Sequence, residues 1–252
     1  VKKNLIGEGK QPLICTPLVG KTEKEIGNEL KKILVKKPDI IEWRVDFFEN
    51  IHDSAKTVAL ANHLKKVIGD IPMIFTIRSI REGGQPISLS DKEAIELNVE
   101  ICRNTTVEYV DCELSNESEY IRYLRKVATE QGTKIIGSFH NFECTPSAKI
   151  LSQKFTEADQ YQLDVAKVAV MPQTLEDVLI LFEATLAAKN RLTIPLITMS
   201  MGKYGAISRI VGGVFGSALS FAVGDKSSAP GQIPIEDLRM AFDIVERSMS
   251  GE

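Results

Sequence analysis

The chain has 252 residues, 43% apolar and 26% charged, with a formal net charge of −3. That length suits one barrel-sized domain with a full core, and the composition is that of an ordinary globular protein. The slight acidity argues against general nucleic-acid or membrane binding, so an anionic ligand needs a local cluster of positive charge.

In chain order, strand-like and helix-like segments alternate from end to end. Residues 1–11 stand outside the repeat and are read as a possible short hairpin closing the bottom of the fold. Strands are expected at 12–18, 40–46, 72–78, 107–113, 134–140, 162–170, 195–200 and 219–223, where short β-branched and apolar runs end at turn residues. Amphipathic helices are expected between them, at 22–36, 54–68, 91–103, 117–130, 146–157, 174–189, 204–217 and 235–249. Ile26, Leu30 and Leu34 in the first follow the i, i+4, i+8 spacing of a buried helical stripe. The glycine-rich 204–217 segment carries the weakest helical pattern. Ser90 with Glu93, and Thr174 with Asp177, read as capping boxes. Eight strands alternating with eight helices predict a parallel sheet with right-handed crossovers. At this length the economical closure is a single-domain (β/α)8 barrel, the TIM-barrel architecture, spanning 1–252 without a linker.

The four cysteines form no CxxC pair and the three histidines are scattered, so no zinc site is expected. The cysteines read as buried thiols of a reducing compartment. No apolar stretch reaches membrane-spanning length and no signal-like core follows Lys2-Lys3, which makes the cytoplasm the expected location.

The most informative residue is Lys167, inside the strand-like run 162–170. Burial of an ammonium is costly, and desolvation favours the neutral amine that attacks carbonyls. A structural lysine paired to an acid is the plain alternative. In a barrel, the carboxyl ends of the strands form the active site. There the sequence places Glu42, Arg44 and Asp46 on one face by strand alternation. It also places Arg78, Asp111 and Glu113, His140, and Met199 and Met201 there, with Arg209 in the next segment. Each has a structural reading too: an ion network, a core histidine, a surface arginine, packing methionines. Their convergence on one rim, with a nucleophile, a base and three arginines among them, favours catalysis. Gly83-Gly84 offers only a weak phosphate-cradle signal. The loop 225–232 is a candidate lid.

These residues resemble the type I 3-dehydroquinate dehydratase family, Schiff-base enzymes of the shikimate pathway. The matching segments are Glu42-Trp43-Arg44-Val45-Asp46, Thr76-Ile77-Arg78 with Glu82-Gly83-Gly84, Ser138-Phe139-His140, Val165-Ala166-Lys167, Met199-Ser200-Met201-Gly202 with Ser208-Arg209, and Ser228-Ala229-Pro230-Gly231-Gln232. The resemblance implies Lys167 as Schiff-base lysine, His140 as general acid/base and Glu82 as the group that orients or tunes it. It implies that Arg209 binds the substrate carboxylate, while Glu42, Arg44, Arg78, Ser228 and Gln232 contact substrate. Met199, Met201, Phe221 and Ala229 would shape apolar walls, and Asp46 and Asp111 would support from behind. It further implies a small-molecule substrate, 3-dehydroquinate, a homodimer, and no metal or organic cofactor.

Three other readings compete. A class I aldolase would share the strand-six lysine but needs a sugar-phosphate site. A glycoside hydrolase would use paired acids such as Glu42 and Glu113 and leaves Lys167 and His140 unexplained. A non-catalytic barrel would bind a carboxylate metabolite without turnover.

Overall fold

The computed structural model describes residues 5–251. Nine parallel strands lie in the order β7-β6-β5-β4-β3-β2-β1-β8-β9. They are β1 Leu13–Leu18, β2 Ile40–Arg44, β3 Met73–Thr76, β4 Tyr109–Glu113, β5 Lys134–Asn141, β6 Val165–Val170, β7 Leu196–Ser200, β8 Leu219–Val223 and the two-residue β9 Ile233–Pro234. The helices are α1 Glu23–Val35, α2 Ser54–Ile68, α3 Asp91–Asn104, α4 Ser118–Gln131, α5 Ala148–Gln160, α6 Leu175–Arg191, α7 Gly202–Phe215 and α8 Ile235–Ser250. The sheet closes between β7 and the entry to β8. Leu196 bridges Ser217 in parallel, and the Ala218 N–H donates to the Leu196 carbonyl at 2.7 Å. The expected (β/α)8 barrel therefore forms.

Strand alternation separates two cores. Trp43, Phe75, Val110, Ile135, Ala166, Val168 and Val170 face outward and pack under the helices. Ile40, Ile74, Tyr109, Ile136, Val165, Ile197 and Leu219 fill the barrel's lower interior. Residues 5–11 form turns and no strand, so the expected hairpin does not appear there, and its residues 1–4 lie outside those described. This segment still plugs the bottom: Ile6 is buried in the interior cluster and its N–H donates to the Tyr109 hydroxyl at 3.0 Å.

Both expected capping boxes are present, at Ser90/Glu93 and Thr174/Asp177. Two strands stop earlier than their apolar runs. β2 ends at Arg44 because Val45–Phe47 turns into a 3-10 helix, and β3 ends at Thr76, which leaves Arg78 in the following loop. The glycine-rich α7 is a full helix; Gly205 and Gly213 pack where an added Cβ would meet Ser200 at 2.3 Å and Pro12 at 2.3 Å. Three cysteines are buried, but Cys144 is exposed in the turn after β5, contrary to the expectation for all four.

Candidate active site

The upper interior of the barrel is polar where the lower is greasy. β6 aims Lys167 into it, with its side chain only 5% exposed. The Lys167 Nζ stands 3.4 Å from Glu42 Oε1 on β2 and 3.5 Å from Asp111 Oδ2 on β4. It also lies 4.5 Å from the centroid of the Phe221 ring on β8. The groups in ion-pair contact with the lysine are thus carboxylates. Both contacts are longer than the roughly 2.7–2.9 Å of a tight ammonium–carboxylate bond. Each carboxylate is engaged elsewhere. The Thr76 hydroxyl donates to Glu42 Oε1 at 2.9 Å, and the Ser138 hydroxyl donates to Asp111 Oδ1 at 2.6 Å.

Arg78 organises the far side. It pairs with Asp111 at 2.8 Å and Glu113 at 2.9 Å, lies 3.7 Å from Glu82, and donates to the Ser138 hydroxyl at 3.0 Å. Burial opposes its charge, but Asp111, Glu113 and Glu82 outweigh that and raise its pKa above the ordinary arginine value. Asp111, although desolvated, is held below the usual carboxylate range by Arg78, Lys167 and the Ser138 hydrogen bond.

His140 sits on β5, the strand beside Lys167. Its Nδ1 lies 2.9 Å from Glu82 Oε2, which also accepts from the His140 backbone N–H at 3.0 Å. The Ser115 hydroxyl donates to the other Glu82 oxygen at 2.8 Å. An ionised Glu82 fixes the Nδ1–H tautomer and leaves Nε2 as a free base. Burial, then Arg78, Lys167 and Arg44, push the imidazole pKa well below its ordinary value, so it is neutral at neutral pH. Burial and then the Glu113 charge raise the Glu82 pKa to about 7. Glu82, rather than Asp111, is therefore the partner of His140.

The loop after β3 brings Glu82 there. Ile80–Glu82 is a 3-10 turn capped by Gly83 at φ +84°. An added Cβ on Gly84 would sit 1.9 Å from the Arg78 carbonyl oxygen. The glycine pair therefore serves a tight fold-back over Arg78 and Ser79, not a phosphate cradle.

Arg209, on α7, completes the cavity. It is 2% exposed, and it donates to the carbonyls of Phe221 at 3.2 Å and Pro230 at 3.0 Å. Among the described residues no carboxylate pairs with it, and burial lowers its pKa to about 10. A buried cation held by neutral carbonyls is a ready receptor for an anion. Arg44 differs: Asp46 grips it twice, at 2.9 and 2.8 Å, and Asp46 also accepts from the Gln85 N–H at 3.1 Å. Above them the 225–232 loop folds on itself, with Gln232 accepting from the Ser228 N–H and donating to its hydroxyl.

One cavity is lined by thirteen of the residues singled out from the sequence: Glu42, Arg44, Arg78, Glu82, His140, Lys167, Met199, Met201, Arg209, Phe221, Ser228, Ala229 and Gln232; Asp46, Asp111 and Glu113 stand behind it and do not line it. It adds Gly83, Phe142 and Ala169. Ala169 follows Lys167 by two residues on β6, so strand alternation could have found it; Phe142 lies just past the end of β5 and carries no such signal. Thr76 and Ser138 were noted only inside motifs, since a lone hydroxyl on a strand signals little.

A family model for type I 3-dehydroquinase matches residues 14–249. The chain belongs to that family. It is a hydro-lyase family, and the likeness runs over the full length. A 3-dehydroquinate dehydratase from Geobacillus sp. (strain WCH70) is 51% identical, covering 96% of this chain and 93% of its own. One from Aromatoleum aromaticum is 48% identical, over 100% and 97%. A solved type I 3-dehydroquinate dehydratase from Clostridium difficile, with covalent modified comenic acid, superposes with a TM-score of 0.93 at 40% identity, covering 98% of this chain and 97% of that one. Within the family's barrel, the polar upper interior is the candidate active site. No helix among the described residues is long and apolar enough to cross a membrane.

Proposed function

We propose that this chain dehydrates 3-dehydroquinate to 3-dehydroshikimate through a Schiff base on Lys167, with His140 as general acid/base. The observation that carries the proposal is one cavity holding a buried lysine, a neutral histidine gripped by a carboxylate, and the cation Arg209, which has no carboxylate partner among the described residues. The substrate is a cyclohexanone bearing a carboxylate and hydroxyls. Arg209 receives the carboxylate in a planar fork. Neutral Lys167 adds to the ketone, and the carbinolamine loses water to give an iminium. His140 Nε2 removes a proton from the carbon between the iminium and the carboxylate-bearing carbon. The electron pair moves into an enamine, so the iminium is the electron sink. Collapse of the enamine expels the β-hydroxyl, which takes a proton from the His140 imidazolium and leaves as water. A water then hydrolyses the imine and frees Lys167. One water forms in the carbinolamine step and one is consumed in hydrolysis, so the net loss is a single water.

Glu82 orients His140. Glu42, Arg44, Arg78, Ser228 and Gln232 hold substrate oxygens, and Met199, Met201, Phe221 and Ala229 pack its apolar faces. The 225–232 loop closes over the bound substrate and excludes water. No metal or organic cofactor takes part. The chain acts as a single catalytic domain, in a cytoplasmic homodimer, in aromatic amino acid (chorismate) biosynthesis. The covalent modified ligand in the Clostridium difficile relative accords with covalent chemistry in such a site.

The test is turnover of 3-dehydroquinate by wild type, Lys167→Ala and His140→Ala. Lys167→Ala is expected to bind substrate and form no product. His140→Ala is expected to accumulate an imine and stall. Product formation by Lys167→Ala near the wild-type rate contradicts the mechanism.

A further inference from the structure

The lysine is held loosely, and the looseness has a visible cause. Its two carboxylate contacts, at 3.4 and 3.5 Å, both exceed the tight ion-pair distance by about half an ångström. Each of those carboxylates accepts from a fully buried hydroxyl on a neighbouring strand: Thr76 on β3 for Glu42, and Ser138 on β5 for Asp111. The Thr76 hydroxyl binds Oε1, the same Glu42 oxygen that faces Lys167. Ser138 is itself fixed by Arg78, and Arg78 also draws Asp111 toward itself at 2.8 Å.

We infer that Thr76 and Ser138 are positioning residues that hold Glu42 and Asp111 back from Lys167, so that neither carboxylate closes into a tight ion pair on the amine that attacks the ketone. The inference rests on the Schiff-base reading of Lys167. Neither hydroxyl is assigned contact with substrate. Their work is to divide the carboxylates' charge between two donors. Glu42 without the Thr76 hydroxyl is free to close on the ammonium, and Asp111 without the Ser138 hydroxyl keeps only its two cationic partners, Arg78 at 2.8 Å and the ammonium at 3.5 Å, to satisfy it. A tighter ion pair favours the charged lysine, which cannot attack a ketone.

Other groups also face the lysine. Cys15 on β1 and His140 on β5 are electrostatically coupled to it. Arg78 reaches it through Asp111, and the Phe221 ring covers it from β8. Arg44 acts on His140, and Arg209 stands against Met199 and the Phe221 carbonyl. The substitutions below change only the two hydroxyls; Ser138→Ala also removes the Arg78 hydrogen bond to Ser138, which Thr76→Val leaves in place.

The experiment measures the initial rate of borohydride-trapped adduct formation with 3-dehydroquinate as a function of pH. It compares wild type with Thr76→Val, Thr76→Ser and Ser138→Ala. Trapping on wild-type Lys167 establishes the nucleophile independently; its absence removes the Schiff-base reading itself. Given trapping, Thr76→Val and Ser138→Ala are expected to move the pH midpoint upward by about one unit, the scale of one lost hydrogen bond to a charged group. Their plateau rates at high pH are expected within about twofold of wild type, because the amine is intact. Thr76→Ser, which keeps the hydroxyl, is expected to restore the wild-type midpoint. Where Thr76→Val fails to fold, Ser138→Ala carries the same test on the other carboxylate. Unmoved midpoints with lowered plateaus in the folded variants, or a Thr76→Ser profile matching Thr76→Val, overturn the inference and leave a packing role.

Discussion

Arg209 and Arg44 show how differently two arginines at one rim are used. Asp46 takes two of the five N–H donors of Arg44, while among the described residues Arg209 meets carbonyl oxygens and a methionine sulfur and no carboxylate. Arg209→Ala is therefore expected to lose substrate affinity. A buried charge pair is worth about 2–5 kcal/mol on truncation, so kcat/KM should fall roughly 30-fold or more, mostly through KM. An unchanged KM in steady-state kinetics contradicts the assignment. Glu82 supplies a pH signature. Its folded pKa of about 7 lies above its ordinary value, chiefly through burial. Its contribution to stability is thus fully present below the ordinary carboxylate pKa and is lost as pH rises through about 7. In catalysis the ionised form grips the His140 Nδ1–H, so turnover is expected to decline as pH falls through 7. His140 adds a second decline further down, below its ordinary value. Glu82→Gln should remove the inflection near 7 at a lower overall rate. A Glu82→Gln profile that keeps that inflection would assign it to another group.

Among the elements, the loop after β3 carries more of the site than its length suggests. It places Arg78 beside Asp111 and Glu113, folds back through Gly83-Gly84, and returns Glu82 to His140. Gly84→Ala sets a Cβ against the Arg78 carbonyl oxygen, so the backbone must shift. Such a shift should lower kcat by about tenfold or more, since even 1 Å of misplacement is costly. The barrel's strands should stay folded, because the clash lies in a connection and outside the packed core. Wild-type kcat in Gly84→Ala, measured by steady-state assay, contradicts this role for the glycine pair. This loop also marks where sequence reading ran short. Its polar residues were legible as motifs, but a 3-10 turn has no periodicity to read, and the apolar run 72–78 hid the end of β3 at Thr76. β2 stopped early for the same reason, with Asp46 leaving the strand in the turn Val45–Phe47 yet still reaching Arg44.

At the scale of the molecule, the alternation of strand and helix made the barrel legible, because a buried parallel sheet needs apolar runs and its crossovers need amphipathic helices. The candidate site was legible for a related reason. Charged residues inside short apolar strands are conspicuous, and Glu42, Asp111, His140 and Lys167 all stand on one rim. Three-dimensional relations were not legible. Residue types and spacing do not say that carboxylates flank Lys167, and Glu82, 58 residues from His140, came forward as its partner only through the family resemblance. The Glu82–His140 pairing follows from the fold-back of the loop after β3, while register sets Ser138 beside Lys167 and His140 beside Ala169. The Schiff base requires that Lys167 become covalently joined to substrate. Its most direct test is mass spectrometry of the protein after incubation with 3-dehydroquinate and borohydride, with peptide mapping. A reduced adduct is expected on the peptide that carries Lys167, absent in Lys167→Ala. A folded, product-forming sample with no adduct, or an adduct mapped to another lysine, contradicts it.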